Sequence, residues 1–490
     1  MKPMLLTVGL ACFLRLTCGL KTSQVTTCAP LLNKFSHSEI AVNIGTPAKT
    51  MSLVADTGSS NVIVVHCKCP DHTCVELTDC YDEKKSSSGS LTLDEQGRHT
   101  QMRMSFGSGD VYVAIASDEV DLAAHKVNMQ DSLLMMFDHE LDVEMQNFQG
   151  IFGLGVPTTS EHIPKNWLLE AGQQRFSMCL NSFETDSGVL RMNPSPQPVA
   201  LANIGKLHWG LDFRGISVGA ASNPVAVCDP ANKDQGMVTA CGIIPDSGTT
   251  LILGDSKQVL DLFAELCDRW SRCSSAYQQA KASGKYERAS ADLRETLSKW
   301  GFPKALMKPL GVDPATQEKQ FKRQTFDAIL SKCGTWGNAA ISQGPEAFAN
   351  YIDLELPELH FHIADLSGNQ QTLKMQGSGY VVGTQMNGQI ICFSFIDDIE
   401  YMTPTNGPIW IFGTPLFYEY EVHFDTAGGG AMSFSQSASG CGSCTPSGVV
   451  EFSAGPGTGP VHGLMRRKNG MIRDLDMKVR MPKINTSLPL

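Results

Sequence analysis

From residue 39 the chain alternates apolar and polar positions, and across residues 54–65, Val-Ala-Asp-Thr-Gly-Ser-Ser-Asn-Val-Ile-Val-Val, apolar runs stand on both sides of a polar turn that opens with Asp56. Alternation predicts a strand with one wet face, and an unbroken β-branched run predicts a strand buried on both faces. Asp56 sits inside the buried part, at a Thr57-Gly58 turn. A buried charge is costly unless it is paired or neutralised, so the pattern demands a partner for Asp56. Residues 243–253, Ile-Ile-Pro-Asp-Ser-Gly-Thr-Thr-Leu-Ile-Leu, repeat the arrangement around Asp246.

An Asp-Ser/Thr-Gly tripeptide is expected by chance roughly 0.2 times in a chain of this length. Asp186-Ser187-Gly188 has no apolar run before it and reads as a turn. The other two each have apolar flanks and a downstream apolar-apolar-Gly segment, Ile151-Phe152-Gly153 and Ile411-Phe412-Gly413. Residues 104–110, Met-Ser-Phe-Gly-Ser-Gly-Asp, lie between strand-like runs and predict a hairpin. Residues 81–90 are polar and serine-rich and predict an exposed loop. Residues 258–270 and 276–300 are rich in Ala, Leu, Lys, Glu and Gln and predict helices.

With these motifs collinear, the chain resembles the pepsin-like aspartic proteases over residues 39–434. Further matching segments are Asn43-Ile-Gly-Thr-Pro47, Gly150-Ile-Phe-Gly-Leu-Gly155, Leu356-Pro-Glu-Leu-His-Phe361 and Ile409-Trp-Ile-Phe-Gly413. The resemblance implies a mainly β, bilobal acid-protease fold with the cleft between two β-rich lobes, here with a helical insert in the second lobe. It implies Asp56 and Asp246 as the catalytic pair, supported by Thr57, Gly58 and Ser59 on one side and Ser247, Gly248 and Thr249 on the other. Phe106, Gly107 and Ser108 then belong to the flap over the substrate. Most relatives carry Tyr at the position of Phe106 and a Trp partner at that of Ile63, and both are absent here. The implied function is cleavage of polypeptides at acidic pH with no cofactor or metal, blocked by pepstatin-type inhibitors, in a monomer. The alternative is a non-catalytic pepsin-fold protein that binds peptide or protein. Survival of both acids and their hydroxyl neighbours favours the enzyme.

Composition narrows the setting. The 490 residues, 42% hydrophobic, suffice for more than one core, and a formal charge of −11 argues against nucleic acid as partner. Residues 1–19 read as a secretory signal, no other segment has the length of a membrane span, and the expected destination is the secretory pathway, ending in secretion or an endolysosomal compartment. The expected division is a short N-terminal segment at 20–38, lobes at 39–205 and 206–436 with the insert at about 258–332, and a Gly/Ser-rich then basic disordered tail at 437–490. The short segment is expected to be too brief to act as the long basic prosegment of pepsin-like zymogens.

Without Cys12 and Cys18 of the signal, an even number of the 16 cysteines remains, which in a secreted chain favours disulfides. The resemblance implies Cys69 with Cys74 and Cys228 with Cys241, and Cys333 with Cys392 as a third pair. His66, Cys67, Cys69, His72, Cys74 and Cys80 could be taken for a zinc site, but their spacing is irregular and paired disulfides are expected instead. Cys267 and Cys273 are placed to staple the insert, and Cys441-Gly-Ser-Cys444 is expected to close a local disulfide.

Overall fold

The computed structural model describes residues 26–34, 36–69, 80–107, 109–141, 149–157, 164–181, 187–219, 227–283, 314–386, 389–437 and 440–444. Each half of the chain folds around the same three-strand device. In the first lobe the Lys49–Asp56 strand runs parallel to Gly150–Gly153, which pairs antiparallel with Val62–Val65. In the second, Gly242–Pro245 runs parallel to Gly407–Phe412, which pairs antiparallel with Ile252–Gly254. The apolar-apolar-Gly segments are thus the middle strands, lodged between the strand that delivers each aspartate and the strand that leaves it. Being covered on both faces, these strands carry few polar side chains, and Val62, Val64, Phe152, Ile252 and Ile409 are fully buried.

The lobes share a sheet. Arg175–Cys179 and Gly188–Met192 of the first lobe pair with each other, and Arg175–Cys179 also pairs antiparallel with Tyr420–Asp425 near the chain's end. Phe176 and Phe424 stack across this seam, ring centroids 4.6 Å apart, with Trp209 against both. The strand Thr27–Asn33 extends the same sheet beside Gly188–Met192, so this part of the expected N-terminal segment is built into the body.

After Ile252–Gly254 the second lobe turns helical. Ser256–Arg269 is capped by Asp255, whose carboxylate accepts from the amides of Lys257 and Gln258. Its buried positions, Val259, Leu262, Phe263, Leu266 and Cys267, follow helical spacing. They pack with Phe326 and Leu330 of Pro314–Leu330, while Trp270 sets its ring edge-on to Phe326. The second expected helix begins earlier than its composition suggested, at Ser271–Ala282, and residues 284–313 lie outside the described residues.

Cys228 is bonded to Cys241, Cys333 to Cys392, Cys267 to Cys273 and Cys67 to Cys80. Cys69 is also disulfide-bonded, whereas Cys74 lies outside the described residues. Two expectations fail. Cys441 and Cys444 do not bond each other: Cys179 takes Cys441 and Cys28 takes Cys444. Sequence proximity favoured the local pair, but the shared sheet brings Cys28 and Cys179 beside the departing chain, where Arg191 also donates to the Cys441 carbonyl. Nor is the 81–90 segment uniformly exposed. Tyr81 and Glu83 are buried, because the Tyr81 hydroxyl donates to the fully buried Asp118, which also accepts from Ser86 and Ser88.

Candidate active site

Asp56 ends its strand opposite Gly153, and Asp246 follows Gly242–Pro245 with its amide bonded to the Phe412 carbonyl at 3.0 Å. The two carboxylates are held alike. Asp56 Oδ1 accepts from the Gly58 amide at 2.8 Å and Oδ2 from Ser59 Oγ at 2.5 Å. Asp246 Oδ1 accepts from the Gly248 amide at 2.9 Å and Oδ2 from Thr249 Oγ1 at 2.7 Å. Each loop comes so close to the other's acid that only glycine fits. A Cβ on Gly58 would lie 2.6 Å from the Asp246 carboxyl, and one on Gly248 would lie 2.4 Å from Asp56 Oδ1.

Beneath the acids, Thr57 and Ser247 lock the loops together. The Thr57 amide donates to Ser247 Oγ and the Ser247 amide to Thr57 Oγ1, both at 3.0 Å. Each hydroxyl donates a hydrogen bond to a carbonyl of the opposite lobe, Thr57 to Pro245 and Ser247 to Ala55. Both residues are fully buried, which removes competing water.

Burial pushes the Asp56 carboxyl up to about 8, and the neighbouring charge of Asp246, to which it is hydrogen-bonded, adds to the effect. The bonds from Ser59 and Gly58 oppose it only in part. Two hydrogen-bonded acids of this kind retain a proton well above the range of ordinary carboxylates, which leaves one ionised and one protonated oxygen set side by side.

A model of the eukaryotic aspartyl protease family matches residues 39–436. The chain belongs to that family. It is 29% identical to cathepsin D of Gallus gallus over 229 residues, 45% of this chain and 55% of that protein. Vacuolar protease A of Arthroderma otae is 28% identical over 235 residues, 45% of this chain and 54% of that protein. The chain therefore matches about half the length of these two relatives. The match to cathepsin D of Clupea harengus is weaker, 22%, but longer, covering 78% of this chain and 77% of that protein.

The hairpin of this family member is formed by Gln101–Phe106 against Gly109–Leu122, with Phe106 opposite Gly109. Gly107 is exposed at its tip, and Ser108 lies outside the described residues. Arg103 and Ser105 both donate to Asp110 and fasten the two arms. Phe106 is half-buried and packs on the apolar cluster that contains Ile63, Val111, Val113, Leu134 and Met136. The position that resemblance pairs with a Trp is therefore in the same apolar patch as the phenyl ring, with no polar hydroxyl to satisfy.

His208 had no motif to mark it. It precedes the Leu211–Val218 strand, and its Nδ1 lies 2.9 Å from the carbonyl of Gly58, the residue whose amide donates to Asp56. Burial holds its imidazole below the usual histidine range, against the pull of Asp246 and of the Gly58 bond. His66, part of the rejected zinc pattern, has both ring nitrogens engaged by Glu83 and the Lys68 amide, while Cys67 and Cys69 are disulfide-bonded.

Proposed function

We propose that the chain is an aspartic endopeptidase that hydrolyses peptide bonds of polypeptide substrates in acid. The observation that carries this reading is the reciprocal placement of Asp56 and Asp246, each bonded by its own loop and each walled by the other loop's glycine. With one proton on the pair, the ionised member takes a proton from a water between the carboxylates while the protonated member hydrogen-bonds the scissile carbonyl. Water attack then gives a tetrahedral diol, with no acyl-enzyme. The diol collapses as a proton reaches the leaving nitrogen, and the pair is again singly protonated.

Thr57 and Ser247 keep the acids at fixed separation, Ser59 and Thr249 hold their outer oxygens, and Phe106 closes over substrate through apolar contact. Pepstatin-type compounds, which mimic the diol, are the expected inhibitors, and the working unit is a monomer. A secretory-pathway route, ending in secretion or an endolysosomal compartment, is supported by the disulfides and by the names cathepsin D and vacuolar protease A among relatives. Among the described residues no helix is long and apolar enough to cross a membrane.

The deciding experiment is cleavage of a denatured protein substrate from pH 3 to 8, with and without pepstatin, by the wild type and by Asp246→Asn. Pepstatin-sensitive acid cleavage lost in the variant is expected. A folded wild type that binds peptide without cutting it would replace the enzyme with the non-catalytic binder.

A further inference from the structure

We infer that His208 is a positioning residue for the two acids, holding the Gly58 loop and, when it takes a second proton, keeping the pair ionised further into acid. The inference rests on the protease reading for its kinetic consequence, and for the coupling on the bond to Gly58 together with the charge of Asp246.

Gly58 is the residue through which the two carboxylates are arranged. Its amide donates to Asp56 Oδ1 at 2.8 Å, and its Cα faces Asp246 so closely that a Cβ would collide with it. The third group on this residue, its carbonyl, meets His208 Nδ1 at 2.9 Å. A carbonyl only accepts, so Nδ1 carries the proton and the neutral ring has Nε2 bare. His208 lies just before the Leu211–Val218 strand of the second lobe while Gly58 belongs to the first, so this bond is a second link between the lobes beside that of Thr57 and Ser247. It acts on the Gly58 carbonyl, an atom that their bonds do not involve.

Among the described residues, Asp246 acts on the ring from the second-lobe loop, Asp56 is hydrogen-bonded to Asp246, and Lys206 on the ring's own segment is exposed. A proton on Nε2 therefore places a cation next to a pair bearing one negative charge. Coulomb attraction between them opposes addition of a second proton to the carboxylates, the step that switches the base off in strong acid. By reciprocity, the carboxylates raise the proton affinity of His208 by the same factor. Burial works against the cation, so its protonation falls on the acid side, where a carboxylate pair needs that protection.

The test uses His208→Gln, whose amide can still donate to the Gly58 carbonyl but does not titrate, and His208→Phe, which loses both properties. His208→Gln is expected to keep kcat at the optimum within about twofold while the acid limb of its kcat profile moves up by roughly 0.5 to 1 pH unit. His208→Phe is expected to show the same shift and a further drop in kcat of about tenfold with KM little changed. In parallel, the His208 imidazole is titrated by NMR in the wild type and in Asp246→Asn, its resonance assigned by its loss in His208→Gln. Its pKa is expected to fall when Asp246 loses its charge. Acid limbs that superimpose in active variants, or a His208 pKa unmoved by Asp246→Asn, overturn the inference. A wild type without proteolysis but with the NMR shift present would instead remove the protease reading and leave the coupling standing.

Discussion

Thr57 and Ser247 exchange amide-to-hydroxyl bonds at 3.0 Å in both directions, although almost 200 positions separate them in the chain. Each hydroxyl accepts from the opposite loop's amide and donates to a carbonyl of that same opposite lobe, so all four bonds are intact only when the lobes are in register. Neither residue touches solvent, and removal of one hydroxyl leaves an amide and a carbonyl buried without partners. We expect Thr57→Val and Ser247→Ala each to cost about 1–3 kcal/mol in stability and to lower kcat more than KM, while Thr57→Ser retains most of both. Urea unfolding and steady-state kinetics of the three variants test this. A Ser247→Ala protein with wild-type kinetics would remove the clasp from the catalytic geometry.

Asp56→Asn and Asp246→Asn are expected to lower kcat by at least about a thousandfold with circular dichroism unchanged, since each removes half of a shared-proton pair. Proteolysis within tenfold of the wild type in either folded variant would contradict the assignment.

The raised proton affinity of Asp56 fixes a sign for stability. Between the ordinary carboxylate range and about pH 8 the folded chain holds a proton that the unfolded chain has released, so stability falls as pH rises through that window. Asp56→Asn removes the effect. Its melting temperature is expected to fall less than that of the wild type from pH 5 to pH 8, with a relative gain at pH 8 of about 1–3 kcal/mol. Parallel melting curves across the window would refute it. Activity has the same origin and should decline above neutrality as the shared proton is lost.

Phe106 and Ile63 lie in one apolar cluster, and neither needs a polar partner. Phe106→Ala is expected to reduce turnover about tenfold while costing only about 1 kcal/mol, because the ring is half exposed. Phe106→Tyr alone should gain little, and Phe106→Tyr with Ile63→Trp more, as the new hydroxyl acquires its mate. Unchanged turnover in folded Phe106→Ala would show that this hairpin does not close over substrate.

The bond from Cys28 to Cys444 joins residues 416 positions apart, and that from Cys179 to Cys441 joins residues 262 apart. Loops this long constrain the unfolded chain strongly. Cys28→Ser with Cys444→Ser is expected to cost about 2–5 kcal/mol in stability with little change in kcat, because the staple sits on the shared sheet away from the acids. Denaturant melts of the double variant, compared with its peptide turnover, check both halves of the statement.

The sequence alone determined the local elements and singled out the two acids on which the proposed chemistry rests. Asp56 and Asp246 were legible because a carboxylate inside an apolar, β-branched run contradicts its surroundings, and because the contradiction occurs twice with the same flanks. The Gln101–Phe106 hairpin arm and the Ser256–Arg269 helix followed from glycine placement and composition, which act over a few residues. Tertiary structure decided everything that depends on chain segments meeting from afar. His208 has no periodic or motif context and becomes notable only where its ring meets Gly58. Tyr81 is buried by an acid on a distant strand, Asp118. Cys441 and Cys444 looked like each other's partners because sequence reports proximity along the chain, whereas a disulfide forms between sulfurs that the folded sheet brings within bonding distance.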